Sequence, residues 1–486
     1  MSDDFLGHPK GLAYLFGSEM WERFSYYGMR ALLVLYMVDH LLKPERVEHV
    51  LGLAALKRLF ESLSGPLGAQ PFASQIYGLY TGLVYLTPIL GGWLADHGLG
   101  RRRTITLGAA MMVAGHFLMA YEPAFLFALA LIAAGCGAFK PNISIQVGEL
   151  YTAADARRDR AYSIFYLGIN IGAFLAPLIC GTLGETVDWA YGFAAAGIGM
   201  AIGLLTYLAG LSRLPQDRPH AKDAASAAAP SDLRRAVFSL SLLFLPSALF
   251  WAGFEQQGNS IALFAETLTD RSVGLLGWRA EIPVTWFQAF NPLMVIVFTP
   301  MLVGWWARRA APERAAKKWE PVFRAKRALN FWNRSRYLRL TDSAQTQRDL
   351  SAEPSTLRKL TLGCLGLAAS YLILAYAATG NAGGKTSWLW LLVYFAVITL
   401  SELHFSPITL SFVSRIAPAG SRAMLMGFWF LSIFVGNLLA GWIGAFWSKL
   451  AGAPFFLLVS ATGFVAAAIV EAARAPLRRS VAAARA

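Results

Sequence analysis

The chain has 486 residues, 56% hydrophobic, 13% aromatic and only 15% charged, with a formal net charge of +14. A soluble domain carries closer to about a quarter charged residues, and apolar runs of roughly 18 or more residues, long enough to cross a bilayer, recur throughout. A soluble globular protein is excluded, and the composition reads as an all-α integral membrane protein.

The opening stretch MSDDFLGHPKGLAYLF places acids before the first apolar run and has no small-residue cleavage site, so it does not read as a removed signal peptide. The first span, 12–38, contains GSEMWERFSYYGMR. Glu19, Glu22, Arg23 and Arg30 would each cost roughly 2.5–3.5 kcal/mol near a bilayer centre if they faced lipid. With about 100° per residue and Glu19 at zero, Arg30 lies near +20°, Arg23 near +40°, Tyr27 near +80°, Tyr26 near −20° and Glu22 near −60°. One helix face carries the whole polar set, and it must line a wet cavity or meet partners on other helices. A buried ion-pair network that only locks helices together is the simpler alternative.

Further spans follow at 73–95, 104–121, 124–148, 161–181, 189–211, 237–266, 284–306, 361–379, 387–415, 423–446 and 454–474, twelve in all. The connections GRRRT (100–104), DARRDR (155–160) and RRAV (234–237) are basic, as is the tail with Arg474, Arg478, Arg479 and Arg485. The alternate connections, EPA (122–124) and ETVD (185–188), are acidic, while 39–72 is mixed. The positive-inside rule then puts both termini in the cytoplasm.

Residues 212–236, around HAKDAASAAAPSD, read as a flexible linker. It separates an N-terminal six-helix bundle, 1–211, from a C-terminal one, 237–486. A basic insertion at 307–360 holds fourteen Lys/Arg against five acids, so +9 of the formal charge sits there. Within it, PVFRAKRALNFWNRSRYLRL reads as an imperfectly amphipathic helix suited to an anionic inner leaflet. A solvated basic loop is the alternative, as is a segment that covers the cytoplasmic mouth and damps transport. The surplus charge follows membrane topology, and no nucleic-acid partner is read from it.

Cys136, Cys180 and Cys364 lie in or beside apolar runs and read as small apolar helix residues. The seven histidines are scattered without HxxxH or HExxH spacing. No nucleophile elbow, Walker loop or dinucleotide fingerprint stands in a usable context. No metal, cofactor or enzymatic role is expected.

EMWERFSYYG matches the ExxERFxYYG motif of the proton-coupled oligopeptide transporter family, within the major facilitator superfamily. GGWLADHGLGRRRT (91–104) resembles the superfamily's helix 2–3 loop motif. GAFKPN (137–142), FYLGINIGAF (165–174), FEQQGNS (254–260), QAFNPL (288–293) and SELHFSPITL (401–410) resemble family motifs on helices 4, 5, 7, 8 and 10. EPSTLRK (353–359) resembles the start of helix 9. The family's SPxGL reads SPITL, with Thr409 in place of a glycine. The linker has no room for the extra helix pair of many bacterial members, and the 307–360 insertion is additional to the shared pattern.

The resemblance implies the major facilitator fold, with two six-helix bundles rocking about a central site. It implies symport of protons with di- and tripeptides, driven by a proton gradient without cofactors, by a monomer in the plasma membrane (the bacterial inner membrane). Lys140, a buried cation without a local acid, would join Arg23 at the peptide carboxylate, with Arg30 as a further candidate; snorkelling is the other reading of Lys140. Glu402 would take the peptide ammonium, with Asn170 and Asn291 as amide ligands; a helix-locking ion pair is its alternative. Tyr27, Tyr85 and Trp429 match family positions as pocket walls; Tyr26 and Trp286 are further candidate walls from the sequence alone, with lipid contact or packing the alternative for Trp286. Glu19, Glu22, Glu255 and Glu402 are the candidate proton carriers, because burial and a nearby guanidinium oppose each other at a carboxyl. Arg30 with Glu255 would form a gating contact between helices 1 and 7. The rival carrier reading is nitrate or another small anion, which Glu402 with Asn170 and Asn291 disfavours. From other classes, a peptidase lacks an evident nucleophile or metal cluster, and a peptide sensor would bind without accumulation.

Overall fold

Lipid offers no hydrogen-bond partners, so a crossing segment must satisfy its backbone internally, and apolar runs fold as helices. The computed structural model describes residues 4–152, 155, 157–217, 230–275, 278–310, 356–380, 384–418 and 421–477. Among them the first six long helices are α1 (Gly11–Tyr36), α2 (Ala69–Leu94), α3 (Arg101–Leu118), α4 (Phe125–Glu149), α5 (Arg158–Ala176) and α6 (Trp189–Gly210). The second six are α7 (Pro230–Phe254), α8 (Phe290–Ala310), α9 (Thr356–Thr379), α10 (Leu389–Ile416), α11 (Arg422–Gly444) and α12 (Ala453–Ala472). Nine of them, α4 to α12, lie in segments long and apolar enough to cross a bilayer by length and composition. The other three are more polar: α1 carries the four charges, α3 opens on three arginines, and α2 interleaves Gln, Ser, Thr and Tyr.

Three features depart from the expected spans. The segment expected at 237–266 is interrupted after α7 by a 3-10 turn, Glu255–Gly258, before a short helix Ser260–Thr267. The polar run EQQGN redirects the backbone there. The Gln256 amide donates to Ala252 and Ala440 carbonyls, and Asn259 leaves helical dihedrals while accepting from Ser74 Oγ at 2.7 Å. The start of the expected 284–306 span is likewise a 3-10 turn, Val284–Ala289. The mixed connection 39–72 holds a further helix, Leu53–Ser64. Of the expected linker, 218–229 lies outside the described residues and 230–236 opens α7. Most of the basic insertion, 311–355, lies outside them too, with the interfacial helix expected at 321–340.

The two sets of six helices pack by one scheme. In the first, α1 packs on α5 and α6, α3 on α4 and α6, and α2 on α4; in the second, α7 packs on α11 and α12, α9 on α10 and α12, and α8 on α10. The halves meet where α2 lies on α11 and α5 on α8, which are the same contact exchanged by the repeat. Gly78 permits the first of these. A Cβ there would stand 2.6 Å from Asn437 O and 2.7 Å from Gly441 Cα, too close for any side chain.

One face of the molecule carries the N-terminal hairpin (Asp4–Phe5 with His8–Pro9) and the α2–α3 and α4–α5 connections; His8 Nδ1 meets the Tyr151 hydroxyl at 2.8 Å. Apart from those beside the central cavity, the cross-half hydrogen bonds among the described residues gather on the far side. There Gln70 Nε2 reaches Gly444 O at 3.0 Å, Ser74 meets Asn259, and Glu185 reaches Val284 and Thr285. The molecule is thus drawn together on its far side, and a central cavity of about 340 Å³ lies between the halves.

Candidate functional site

The charges of α1 face this cavity and its neighbours, which explains how an apolar bundle holds them. Arg23 forks onto Glu22, donating from Nη2 to Oε1 at 2.6 Å and from Nε to Oε2. The same Nε stands 3.3 Å from Glu19 Oε1, one turn earlier. The second Glu19 oxygen, Oε2, is buried and accepts from no described group. Two adjacent acids therefore differ: Glu22 has both oxygens engaged, Glu19 one. Cys136 on α4 adds a thiol 3.5 Å from Glu22 Oε1, so this cysteine is more than a small apolar filler.

Two turns along α1, Arg30 donates from Nη2 to Glu255 Oε2 at 2.6 Å and from Nε to the Tyr77 hydroxyl at 2.8 Å. This contact joins the halves, because Glu255 sits on the 3-10 turn after α7. The break in the seventh span thus presents Glu255 to α1.

Glu19, Arg23, Tyr27 and Arg30 line the cavity from α1, joined by Tyr85, Lys140 and Asn170 from the first half. Glu255, Asn291, Glu402 and Trp429 line it from the second. Lys140 Nζ stands 4.9 Å from the centre of the Tyr85 ring, a cation–π distance. Asn291 Nδ2 donates to Glu402 Oε2 at 2.9 Å and to Thr399 Oγ1 at 3.0 Å, which orients the carboxylate. Asn170 Nδ2 donates to the Tyr166 carbonyl at 2.9 Å, leaving its oxygen for another donor.

Two of the expected pocket walls, Tyr26 and Trp286, differ. Tyr26 and Glu22 do not line the cavity: the lining residues of α1 span roughly 0° to +80° of the helix face, and these two lie at its negative edge. Tyr26 stands behind the wall, with its ring 5.3 Å from the Arg23 guanidinium carbon and edge-on to Tyr27. Trp286 is no pocket wall either. It lies on the far side, with its indole donating to Thr182 Oγ1 at 2.8 Å. Conversely, Tyr77, Tyr166, Trp251 and Gln288 join the site or its supports without having been singled out in the sequence. They sit on helices whose neighbours only the fold supplies.

Residues 102–230, 224–315 and 344–457 match the POT family. The chain belongs to the POT family. It is therefore a multi-pass membrane transporter of the major facilitator fold and not an enzyme. Among POT relatives, a di-/tripeptide transporter of Lactococcus lactis subsp. cremoris is 31% identical, with 97% of this chain and 96% of the relative covered. The peptide transporter YePEPT of Yersinia enterocolitica is also 31% identical, over 90% of this chain and 88% of its own. A crystal structure of a peptide transporter POT in complex with sulfate superposes with a TM-score of 0.77 at 28% identity, covering 98% of this chain and 96% of that one.

Proposed function

We propose that this POT-family transporter is a proton-coupled symporter that imports di- and tripeptides by alternating access. The carrying observation is one cavity with fixed cations on its first half, Arg23 and Lys140, and a carboxylate on its second, Glu402. A short peptide presents that charge pattern in reverse. Its carboxylate is held by Arg23 and Lys140 and its ammonium by Glu402 with Asn170 and Asn291. Tyr27, Tyr85 and Trp429 face the variable side chains. The cavity is within the range of small-ligand sites, about 300–1,000 Å³. The names of the Lactococcus and Yersinia relatives agree with peptide as cargo.

Glu19 carries the transported proton in this arrangement. A buried carboxylate oxygen without a donor is costly as an anion, and Glu19 Oε2 is such an oxygen, whereas Glu22 is fully engaged by Arg23. Loss of the proton lets Glu19 compete for Arg23 and loosens the peptide carboxylate. The Arg30–Glu255 contact re-forms and breaks as the bundles rock. The positive-inside rule applied to the basic connections supports a cytoplasmic N-terminal face; on this reading the far-side contacts are periplasmic and the state is closed to the outside, in a bacterial inner membrane.

Uptake of labelled dialanine into liposomes with an imposed inward proton gradient tests this reading. Accumulation above equilibrium that an uncoupler abolishes is expected. Equilibration without accumulation would remove proton coupling, and no competition by unlabelled dipeptide would remove the substrate class.

A further inference from the structure

We infer that Glu185 is the residue that holds the far side of the transporter shut, by completing the hydrogen bonds of a segment in the opposite half. The segment is the 3-10 turn Val284–Ala289 that leads into α8. Its first N–H groups have no carbonyl behind them, and the preceding residue, Pro283, provides no side-chain cap. Glu185 comes from the other half. It sits on a short helix, Thr182–Thr186, that continues α5 through the π-helical turn Pro177–Gly181.

Both of its oxygens are used. Oε2 accepts from Val284 N at 2.7 Å, and Oε1 accepts from Thr285 N at 2.8 Å and from Thr285 Oγ1 at 2.6 Å. Beside it, the Trp286 indole donates to Thr182 Oγ1. The approach depends on Gly181, where a Cβ would collide with the Thr285 side chain. These contacts run between helices 5 and 8, one of the two seams where the halves meet, and are separate from the Arg30–Glu255 contact between helices 1 and 7.

Opening of the far side must draw 182–186 away from 284–289. Three hydrogen bonds to a carboxylate then break together, and hydrogen bonds to charged groups are among the stronger ones in proteins. Glu185 touches neither the cavity nor any charged cavity residue, so it acts on the closed–open equilibrium and not on the cargo. The inference rests on alternating access, but its test needs neither peptide nor a proton gradient.

The test is the distance distribution between nitroxide labels on Val187→Cys and Thr267→Cys, exposed positions on the far side of the two halves, in detergent or nanodiscs without substrate. The native cysteines are buried. In the parent, a short-distance population should dominate. Glu185→Ala should raise the open-to-closed ratio by about tenfold or more, Glu185→Gln, which keeps one acceptor oxygen, by less, and Thr285→Val by less again. Unchanged distributions in both Glu185 variants would overturn the inference. Should Glu185→Ala fail to fold, the isosteric Gln variant decides alone. Uptake failing in the parent while the distances shift as expected would count against peptide symport and leave the clasp standing.

Discussion

At the scale of single residues, Glu19 and Glu22 are neighbours with different work. Glu22 accepts the Arg23 fork with both oxygens, and Glu19 is 3.3 Å from the same Nε through one. Glu19→Gln should keep peptide exchange, measured as counterflow at equal pH, and lose accumulation driven by the gradient. Glu22→Gln removes the anchor of Arg23 and should lower peptide affinity in both assays by about tenfold or more, as expected for an interrupted buried charge pair. If both variants keep driven accumulation, the acids only hold helices together. The polar stripe that carries this difference was legible in the sequence, since helical spacing puts all six residues on one side of α1. The centre of the stripe was not. Spacing fixes angles between residues, while the neighbours α2, α4 and α5 fix which edge turns to the cavity. Tyr26, at the negative edge, consequently stands behind the wall.

At the scale of elements, apolar run length marked the helices because lipid leaves no other way to satisfy a backbone. The break at Glu255–Asn259 was not legible. FEQQGNS reads as a polar interlude in an apolar run, and the carbonyl of Ala440 and the hydroxyl of Ser74 that reward its amides come from α11 and α2. Trp286 looked like any aromatic in a span, and its partner Thr182 lies about a hundred residues away in sequence. The N-terminal hairpin offers a test at this scale, outside the bilayer. His8 meets Tyr151 OH at 2.8 Å, and burial, with Arg160 and Arg157 nearby, holds its pKa below the ordinary histidine value. A lowered histidine pKa means that the docked hairpin favours the neutral ring. Its contribution is present above the unfolded-state pKa and fades as pH falls through the lowered one. The protection of the amides within residues 5–10, taken relative to their intrinsic exchange rates at each pH, should therefore fall on acidification across that window, and His8→Gln should flatten the dependence. An equal acid response in His8→Gln would assign the change to another group.

At the scale of the whole molecule, the repeated packing scheme builds two like halves, joined along α2–α11 and α5–α8. The cavity divides its charges across this joint, with Arg23 and Lys140 on one side and Glu402 on the other. On the proposed function, a zwitterionic peptide held at both ends cross-links the halves, and its binding energy would appear as stability of the assembled transporter. At a concentration one hundredfold above Kd, such a ligand adds about 2.7 kcal/mol, which moves Tm upward by a few degrees in a protein of this size, roughly. Dialanine should give that shift in the parent, measured by thermal unfolding in detergent at fixed pH. N-acetyl-dialanine, which lacks the ammonium, should give much less. Glu402→Gln should lower the dialanine shift while leaving the small effect of the acetylated peptide as it was, because the acetylated peptide never used Glu402. A Glu402→Gln variant that loses equally with both peptides would show that the residue supports the bundle and not the peptide's amino end.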